Sequence, residues 1–262
     1  MAEYKGIDVS KWQGDINWAK VKAAGIKFAM IRSSYGSVDG QEDAKLAANV
    51  KGCEANGIPY GFYHYSYATT VEGAKREAAY FLKVIKGYSP TMPVVYDVED
   101  KTQAGLSKAT LTAMVKAFCD AVEAAGYYVM LYSSKSWLET KFNMSELAKY
   151  DVWLAQWSSS PTYKGAFGLW QYSSTGSVSG ISGNVDMDIA YKDYPSIIKA
   201  NGLNGQKKAS DQTAQKPAQS AEQKEIADLK SQLAASKTKL AAAESKLASI
   251  KTLVNQLAEL VK

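Results

Sequence analysis

The chain has 262 residues, 46% of them hydrophobic and 11% aromatic, which is enough apolar material for one large core or two modest ones. Its net charge of +5 is unevenly spread, because residues 1–200 carry 21 basic and 20 acidic side chains whereas residues 201–262 carry 10 and 6. The near-neutral body has no basic cluster interleaved with aromatics, which argues against nucleic-acid binding. No stretch of the sequence approaches the roughly 18 consecutive apolar residues that a membrane span needs.

The opening residues, MAEYKGIDVSKWQ, contain no basic segment that leads into an apolar one. The sequence therefore predicts no signal peptide and synthesis in the cytoplasm, so that work outside a cell would require separate release. The two cysteines, Cys53 and Cys119, lie in helix-like segments among small apolar residues. We predict that both are buried free thiols and that they form no disulfide framework.

Eight short runs rich in β-branched and aromatic residues predict strands at 4–10, 27–34, 59–66, 92–99, 127–134, 150–157, 166–173 and 184–191. Helical patterns fall between the earlier runs, at about 15–24, 41–56, 71–87, 107–125 and 134–149. Gly25, Gly57 and Gly126 follow three of these patterns, as is typical of residues that end helices. The first five strands alternate with helices and the last three do not, which predicts a closed α/β barrel with an irregular end over residues 1–200.

The composition changes near residue 200. Residues 201–221 are polar and rich in Gly, Ser, Gln and Lys, which predicts a flexible linker. Residues 222–262 predict a coiled coil that joins copies of the chain, since apolar or small residues recur there at heptad spacing. A single helix packed back on the body is one alternative. A stalk that has lost a wall-binding module and a coil that docks onto a partner chain are the others. The heptad positions are Ile226, Leu229, Leu233, Ser236, Leu240, Ala243, Leu247, Ile250, Val254, Leu257 and Val261.

The run PVVYDVED, residues 93–100, ends a predicted buried strand with three carboxylates. Asp97 and Glu99 share one face of this strand because side chains alternate. Asp8 ends the first predicted strand, and Asp186 shares one face of the last strand with Asp188. In α/β barrels the chemistry takes place at the C-terminal ends of the strands. We therefore expect Asp8, Asp97, Glu99 and Asp186 to converge on one mouth.

No lysine or arginine lies within these three acidic strand ends, and converging like charges raise the pKa of at least one member. A carboxylic acid that stays protonated near neutral pH can protonate a leaving glycosidic oxygen while a second carboxylate stabilises the positive centre. Two alternatives stay open. Four carboxylates also suit Mg²⁺ or Ca²⁺, although the chain has no EF-hand loop, Walker A sequence or histidine cluster, and the acids could form structural ion pairs with helix lysines.

Six tryptophans and 17 tyrosines are many for this length, and they concentrate at the predicted strand ends. Flat rings with a polar edge suit the faces of sugars, but the same residues also serve as core. His64, the only histidine, is expected to be a hydrogen-bonded barrel residue and not a catalyst. The candidate substrate-binding residues are Tyr65, Tyr132, Trp157, Trp170 and Gln171.

The segments GIDVSKWQGDINW, VVYDVE and VDMDIAY resemble the glycoside hydrolase family 25 lysozymes, the Chalaropsis-type muramidases, over about residues 3–195. The resemblance implies an irregular TIM-like (β/α)5β3 barrel without metal or cofactor. It also implies hydrolysis of the β-1,4 bond between N-acetylmuramic acid and N-acetylglucosamine in peptidoglycan. By the same resemblance Glu99 is the general acid, Asp97 its partner carboxylate, and Asp8 and Asp186 supporting acids, while Asp188 stands where the family more often has Asn.

Three mechanisms stay open, because alternate strand residues about 6.5 to 7 Å apart fit neither the inverting nor the double-displacement separation decisively. We favour the third, in which the substrate's own N-acetyl carbonyl attacks and Asp97 orients it.

The resemblance further suggests a phage or prophage endolysin that reaches the cell wall through a membrane lesion made by another protein. Bacterial peptidoglycan and, through the coiled coil, further copies of the chain are the expected partners. The alternative from another class is a non-catalytic multivalent protein that binds cell-wall glycan. A binder has no need of four converging acids, so the hydrolase is the preferred interpretation.

Overall fold

The computed structural model describes residues 3–208, in which eight strands close into one barrel in chain order. Strands β1 to β7 all run parallel to one another, and β8 runs antiparallel to both β7 and β1. All eight predicted strands are confirmed, although β4 is only four residues long. Their bounds are β1 Tyr4–Val9, β2 Phe28–Tyr35, β3 Tyr60–Tyr65, β4 Val94–Asp97, β5 Val129–Ser134, β6 Asp151–Ala155, β7 Leu169–Gly176 and β8 Val185–Ala190.

A helix follows each of the first five strands, and the last three strands have no α-helix between them, as predicted. A sixth helix, which the sequence did not predict, follows β8; Asp193 caps its first turn by accepting a hydrogen bond from the Ser196 amide. The bounds are α1 Trp18–Ala23, α2 Leu46–Ala55, α3 Val71–Ile85, α4 Lys108–Ala124, α5 Lys135–Thr140 and α6 Tyr194–Asn201.

The helix predicted over 134–149 is wrong in length, because α5 ends at Thr140. Beyond it the chain turns to bury Phe142 and Leu147, and the Asn143 amide donates to the Thr112 hydroxyl on α4. These tertiary contacts replace the hydrogen bonds that would continue the helix.

Strand alternation sorts the buried side chains into two layers. One fills the barrel and includes Phe28, Met30 and Val95; the other, larger layer lies between the strands and the helices. Gly6 on β1 leaves room for the Phe28 ring, since a Cβ atom at Gly6 would lie 2.3 Å from that ring. Cys53 and Cys119 are buried free thiols, as predicted.

The structure describes residues 201–208 of the predicted linker, and one of them packs into the body. Asn204 is fully buried in this segment; its side chain accepts a hydrogen bond from the Tyr128 amide and donates to the carbonyls of Pro90 and Met92. The rest of the predicted linker and the coiled coil predicted over 222–262 lie outside the described residues. Within residues 3–208, no helix has the length and hydropathy that a membrane crossing requires.

Candidate active site

A cavity of about 380 Å³ opens where the C-terminal ends of the strands meet, and all four predicted acids line it. Strand register explains their convergence. Asp8 on β1 pairs directly with Asp186 on β8, and Asp97 ends β4 on the opposite side of the barrel. Glu99 follows Asp97 by two residues and reaches the same cavity. The sequence therefore placed these four acids correctly at one mouth.

Neighbouring strands hold the end of β4 from both sides. The Ser66 amide after β3 donates to the Asp97 carbonyl at 2.9 Å, and the Ser133 hydroxyl on β5 donates to the Val98 carbonyl at 2.7 Å. Asp97 is buried, whereas Glu99 is open to solvent inside the cavity. One backbone segment thus presents a buried and an accessible carboxyl two residues apart.

The cavity walls raise the pKa of Glu99 to about 7, since they penalise its charged form and the Asp186 charge adds to the effect. Burial raises the pKa of Asp97 well above its usual value, and the neighbouring Glu99 charge raises it further. The positive charge of Arg32 acts on Asp97 in the opposite direction. The two carboxyls therefore retain a proton near neutral pH, and Arg32 favours the ionised form on Asp97.

Arg32 corrects the expectation that the acids have no basic neighbour. It lies on β2, lines the cavity and forms an ion pair of 2.7 Å with the buried Asp43. Alternation along β2 indicates that Arg32 faces the barrel interior, because it follows the inward-facing Met30 by two residues. The acidic strand ends alone do not reveal this cation, because Arg32 lies on a different strand.

Three predicted substrate-binding residues join Asp8 in one hydrogen-bonded chain. Gln171 donates to Asp8 Oδ2 at 2.8 Å, and its side-chain oxygen accepts from the Tyr132 hydroxyl at 3.1 Å and from Trp157 Nε1 at 2.9 Å. The Trp157 side chain is 64% exposed, so a ring face is available beside the acids. Gln171 therefore fixes both a carboxylate and an aromatic wall of the cavity.

Of the remaining two predicted substrate-binding residues, one lines the cavity and the other does not. Tyr65 lines the cavity and donates its hydroxyl to Asp100 at 3.1 Å. Trp170 does not line it: the side chain is 5% exposed, packs in the outer layer, and donates Nε1 to the Gln156 carbonyl at 2.8 Å. Its neighbour Gln171 takes the inward position, and alternation then directs Trp170 outward.

The cavity is also lined by three aromatic residues that were not predicted to bind substrate: Trp12, Tyr63 and Trp153. Trp12 is 74% exposed and sits in a short 3-10 turn, Lys11–Gln13, which Ser10 caps. It lies within the opening motif, and Tyr63 precedes Tyr65 by two residues on β3, so both could have been found from the sequence.

Asp188 lies deeper in the barrel and does not line the cavity. It is fully buried; Oδ1 accepts from Trp153 Nε1 at 2.8 Å, and Oδ2 has no hydrogen-bond partner within the described residues. Burial raises the pKa of Asp188. Burial also raises the pKa of Asp8, and the Asp188 charge is the second cause of that increase. The floor of the site therefore favours a protonated carboxyl.

His64 is buried outside the barrel wall, where its Nδ1 lies 2.8 Å from the Ser34 hydroxyl. Burial lowers the pKa of His64 to about 3, so its ring is neutral at ordinary pH, in line with its expected structural role. Within residues 3–208, no three histidine, cysteine or acidic side chains are arranged to hold a metal ion.

The sequence profile of the glycosyl hydrolases family 25 matches residues 7–181. Lysozyme M1 of Streptomyces globisporus is 36% identical over 197 residues, covering 70% of this chain and 66% of that protein. The autolytic lysozyme of Clostridium acetobutylicum is 30% identical over 185 residues, covering 70% and 55%. The chain thus spans less than two thirds of the length of both relatives.

Solved structures give the same grouping. The lysozyme from Streptomyces coelicolor has a TM-score of 0.66 and 30% identity, covering 79% of this chain and 100% of that one. The autolysin LytC from Streptococcus pneumoniae, in complex with a synthetic peptidoglycan ligand, has a TM-score of 0.65 and 31% identity, covering 72% and 47%. The CTP1L endolysin has a TM-score of 0.65 and 25% identity, covering 75% and 70%. The motifs, the barrel and these matches together show that the chain belongs to glycosyl hydrolases family 25.

Proposed function

We propose that this protein is a muramidase, which hydrolyses the β-1,4 bond between N-acetylmuramic acid and N-acetylglucosamine in peptidoglycan. The observation that carries the proposal is the Glu99 carboxyl, whose pKa is raised to about 7, beside Asp97 in an aromatic-lined cavity. Family membership and the peptidoglycan ligand in the related LytC support it.

The mechanism that we favour uses the N-acetyl group of the substrate. Glu99 donates its proton to the glycosidic oxygen as the bond from that oxygen to the anomeric carbon breaks. The carbonyl oxygen of the muramic acid N-acetyl group attacks the anomeric carbon, and ionised Asp97 stabilises the positive charge of the resulting ring. Water then attacks the anomeric carbon and opens the ring that the N-acetyl group formed, and Glu99 takes a proton from this water. The two successive inversions at the anomeric carbon retain its configuration, and both carboxyls return to their starting states.

The other two acids act on this pair from the opposite strands. The charge of Asp186 raises the pKa of Glu99 and so keeps the acid protonated at higher pH. Gln171 donates to Asp8 and so favours the ionised form of Asp8, with the proton at the floor of the site on Asp188; ionised Asp8 adds negative potential where the positive centre develops.

Mass spectrometry of fragments from purified peptidoglycan, with and without borohydride reduction, tests the reaction directly. Reduced muramic acid ends are the expected result. Ends at glucosamine would make the protein a glucosaminidase. Binding without any glycan cleavage would favour the alternative of a multivalent glycan-binding protein.

A Glu99→Gln variant tests the role of the acid. Activity should fall at least about 100-fold, because general acid catalysis contributes about 10²–10⁴-fold. Glu123→Gln makes the same chemical change on the outer surface of α4, where Glu123 pairs with Lys149, and should leave the rate unchanged. Substantial activity in Glu99→Gln would assign the acid role to another residue.

We further propose that the protein is a phage or prophage endolysin that leaves the cytoplasm through a lesion made by a separate membrane-permeabilising protein. Similarity to the CTP1L endolysin supports this proposal. Expression in a sensitive bacterium should cause lysis only after the membrane is permeabilised. Lysis by the protein alone would contradict it.

The heptad pattern over 222–262 supports a further proposal, that the tail joins two or more catalytic bodies and strengthens wall binding through effective concentration. Light scattering should give a multiple of the 28.4 kDa chain mass for the full protein and a single chain mass after deletion of 222–262. An unchanged number of chains per particle would refute oligomerisation through the tail.

A further inference from the structure

A second cavity, of about 250 Å³, lies on the same face of the barrel as the acids. The loops that follow β2 and β3 form it, so it opens beside the candidate active site. Its lining is mostly polar and includes Gln41, Thr69, Thr70 and Arg76. Nothing in the mechanism above uses this cavity.

Two tyrosines connect the cavities. Tyr65 lines the acidic cavity, Tyr67 lines the second one, and their ring centroids are 5.2 Å apart. Tyr67 also packs edge-on against Tyr35 at 6.2 Å, which supports its ring from the other side. Because Tyr67 is 48% exposed, the pair forms a continuous aromatic ledge from one cavity to the other.

Arg76 supplies the positive charge at the second cavity, and it also acts through space on Glu72, one helical turn before it on α3. The chain has two arginines, and Arg32 is paired with Asp43, whereas Arg76 has no carboxylate partner in the described part of the chain. Glu72 forms its direct ion pair with Lys75, at 2.6 Å.

Glu77, which also lines this cavity, is buried and engaged as well. It accepts hydrogen bonds from the hydroxyls of Ser66 and Tyr96 and from the amides of Tyr67 and Ala68. The cavity therefore offers an incoming anion a guanidinium that forms no direct ion pair in the described residues, and guanidinium groups suit carboxylates.

We propose that this second cavity binds a carboxylate of the stem peptide that peptidoglycan carries on its muramic acid residues, with Arg76 as the contact. The sugar chain lies across the acidic cavity, and the peptide follows the ledge of Tyr65 and Tyr67 into the second. This inference rests on the proposed muramidase activity and names the part of the substrate that makes peptide-bearing wall a better substrate than bare glycan.

The test compares two substrates made from one peptidoglycan preparation: intact material, and glycan strands whose stem peptides an amidase has removed. Arg76→Ala should lower kcat/KM about fivefold on the intact material, as expected for one partly exposed charged hydrogen bond, and leave the stripped strands unchanged. Lys86→Ala removes an exposed positive charge at the far end of α3, away from the second cavity, and should change neither rate. Equal loss on both substrates would instead indicate a sugar subsite, and no loss on either would also overturn the proposal.

A binding measurement separates this inference from the proposed reaction. The free stem peptide, released by the same amidase, should shift the amide resonances of Tyr67 and Gly73 in the full chain, and Arg76→Ala should abolish these shifts. Equal shifts in both proteins would overturn the inference. Peptide binding without release of muramic acid ends from either substrate would contradict the muramidase proposal and leave the peptide site standing.

Discussion

Asp188→Asn should stabilise the protein, and more so at high pH. Asp188 is fully buried, with one oxygen bound to Trp153 Nε1 and the other without a partner in the described residues. Because burial raises its pKa in the folded state, the contribution of Asp188 to stability is present at low pH and lost as pH rises through that folded pKa. Asparagine keeps the acceptor for Trp153, cannot ionise, and can donate to Asp8, which lies within hydrogen-bond reach of residue 188.

The magnitude follows from the unpartnered oxygen. A buried polar group left unsatisfied costs about 1–3 kcal/mol, and Asp188 incurs this cost when it is ionised, because a protonated Asp188 can donate to Asp8. A change of about 1 kcal/mol shifts Tm by about 2–4 °C in a domain of this size. We therefore expect Tm to rise by about 2–12 °C at pH 8 and much less at pH 5, measured by calorimetry. Asp15→Asn, at an exposed site where the Lys45 partner lowers the pKa, should give no such gain at pH 8. A lower Tm for Asp188→Asn at both pH values would refute the reasoning.

The other predictions concern the proposed activity on peptidoglycan. The kcat/KM should fall above pH about 7 as Glu99 loses its proton, and Asp186→Asn should move this limb to lower pH because the Asp186 charge raises the Glu99 pKa; an unmoved limb would contradict that coupling. Gln171→Leu should reduce kcat/KM about tenfold in steady-state kinetics, because Asp8 loses a 2.8 Å hydrogen bond and Trp157 loses its acceptor. An unchanged kcat/KM would exclude this positioning role of Gln171. Trp157→Ala should raise KM several-fold, whereas Trp170→Phe should lower Tm without changing KM; the reverse pattern would place Trp170 and not Trp157 at the substrate.

Local periodicity carried much of the fold and of the acidic site. Runs of β-branched and aromatic residues indicated all eight strands, because these patterns depend on short-range backbone preferences. Alternation then placed Asp97 and Glu99 on one face, and Asp8 and Asp186 at the ends of other strands. The barrel brings all four to one cavity, as the sequence predicted.

Other features depended on contacts between distant segments. Trp170 and Gln171 are both buried, on opposite sides of β7, so alternation alone could not say which of them faces the cavity. Arg32 reaches the acids from β2. The polar segment after residue 200 looked like a linker, yet Asn204 is buried through hydrogen bonds to residues more than 70 positions away in the chain.

The sequence by itself thus determined which strands carry carboxylates and at which end, since that follows from a two-residue repeat within each strand. Only the tertiary structure decided how those carboxylates behave. The pKa of Glu99 reaches about 7 because cavity walls from several strands surround its carboxyl and because the Asp186 charge lies on β8 nearby. Arg32 favours the ionised form of Asp97 because β2 brings its positive charge near that carboxyl. Charge and burial act through space, and chain closure sets those distances.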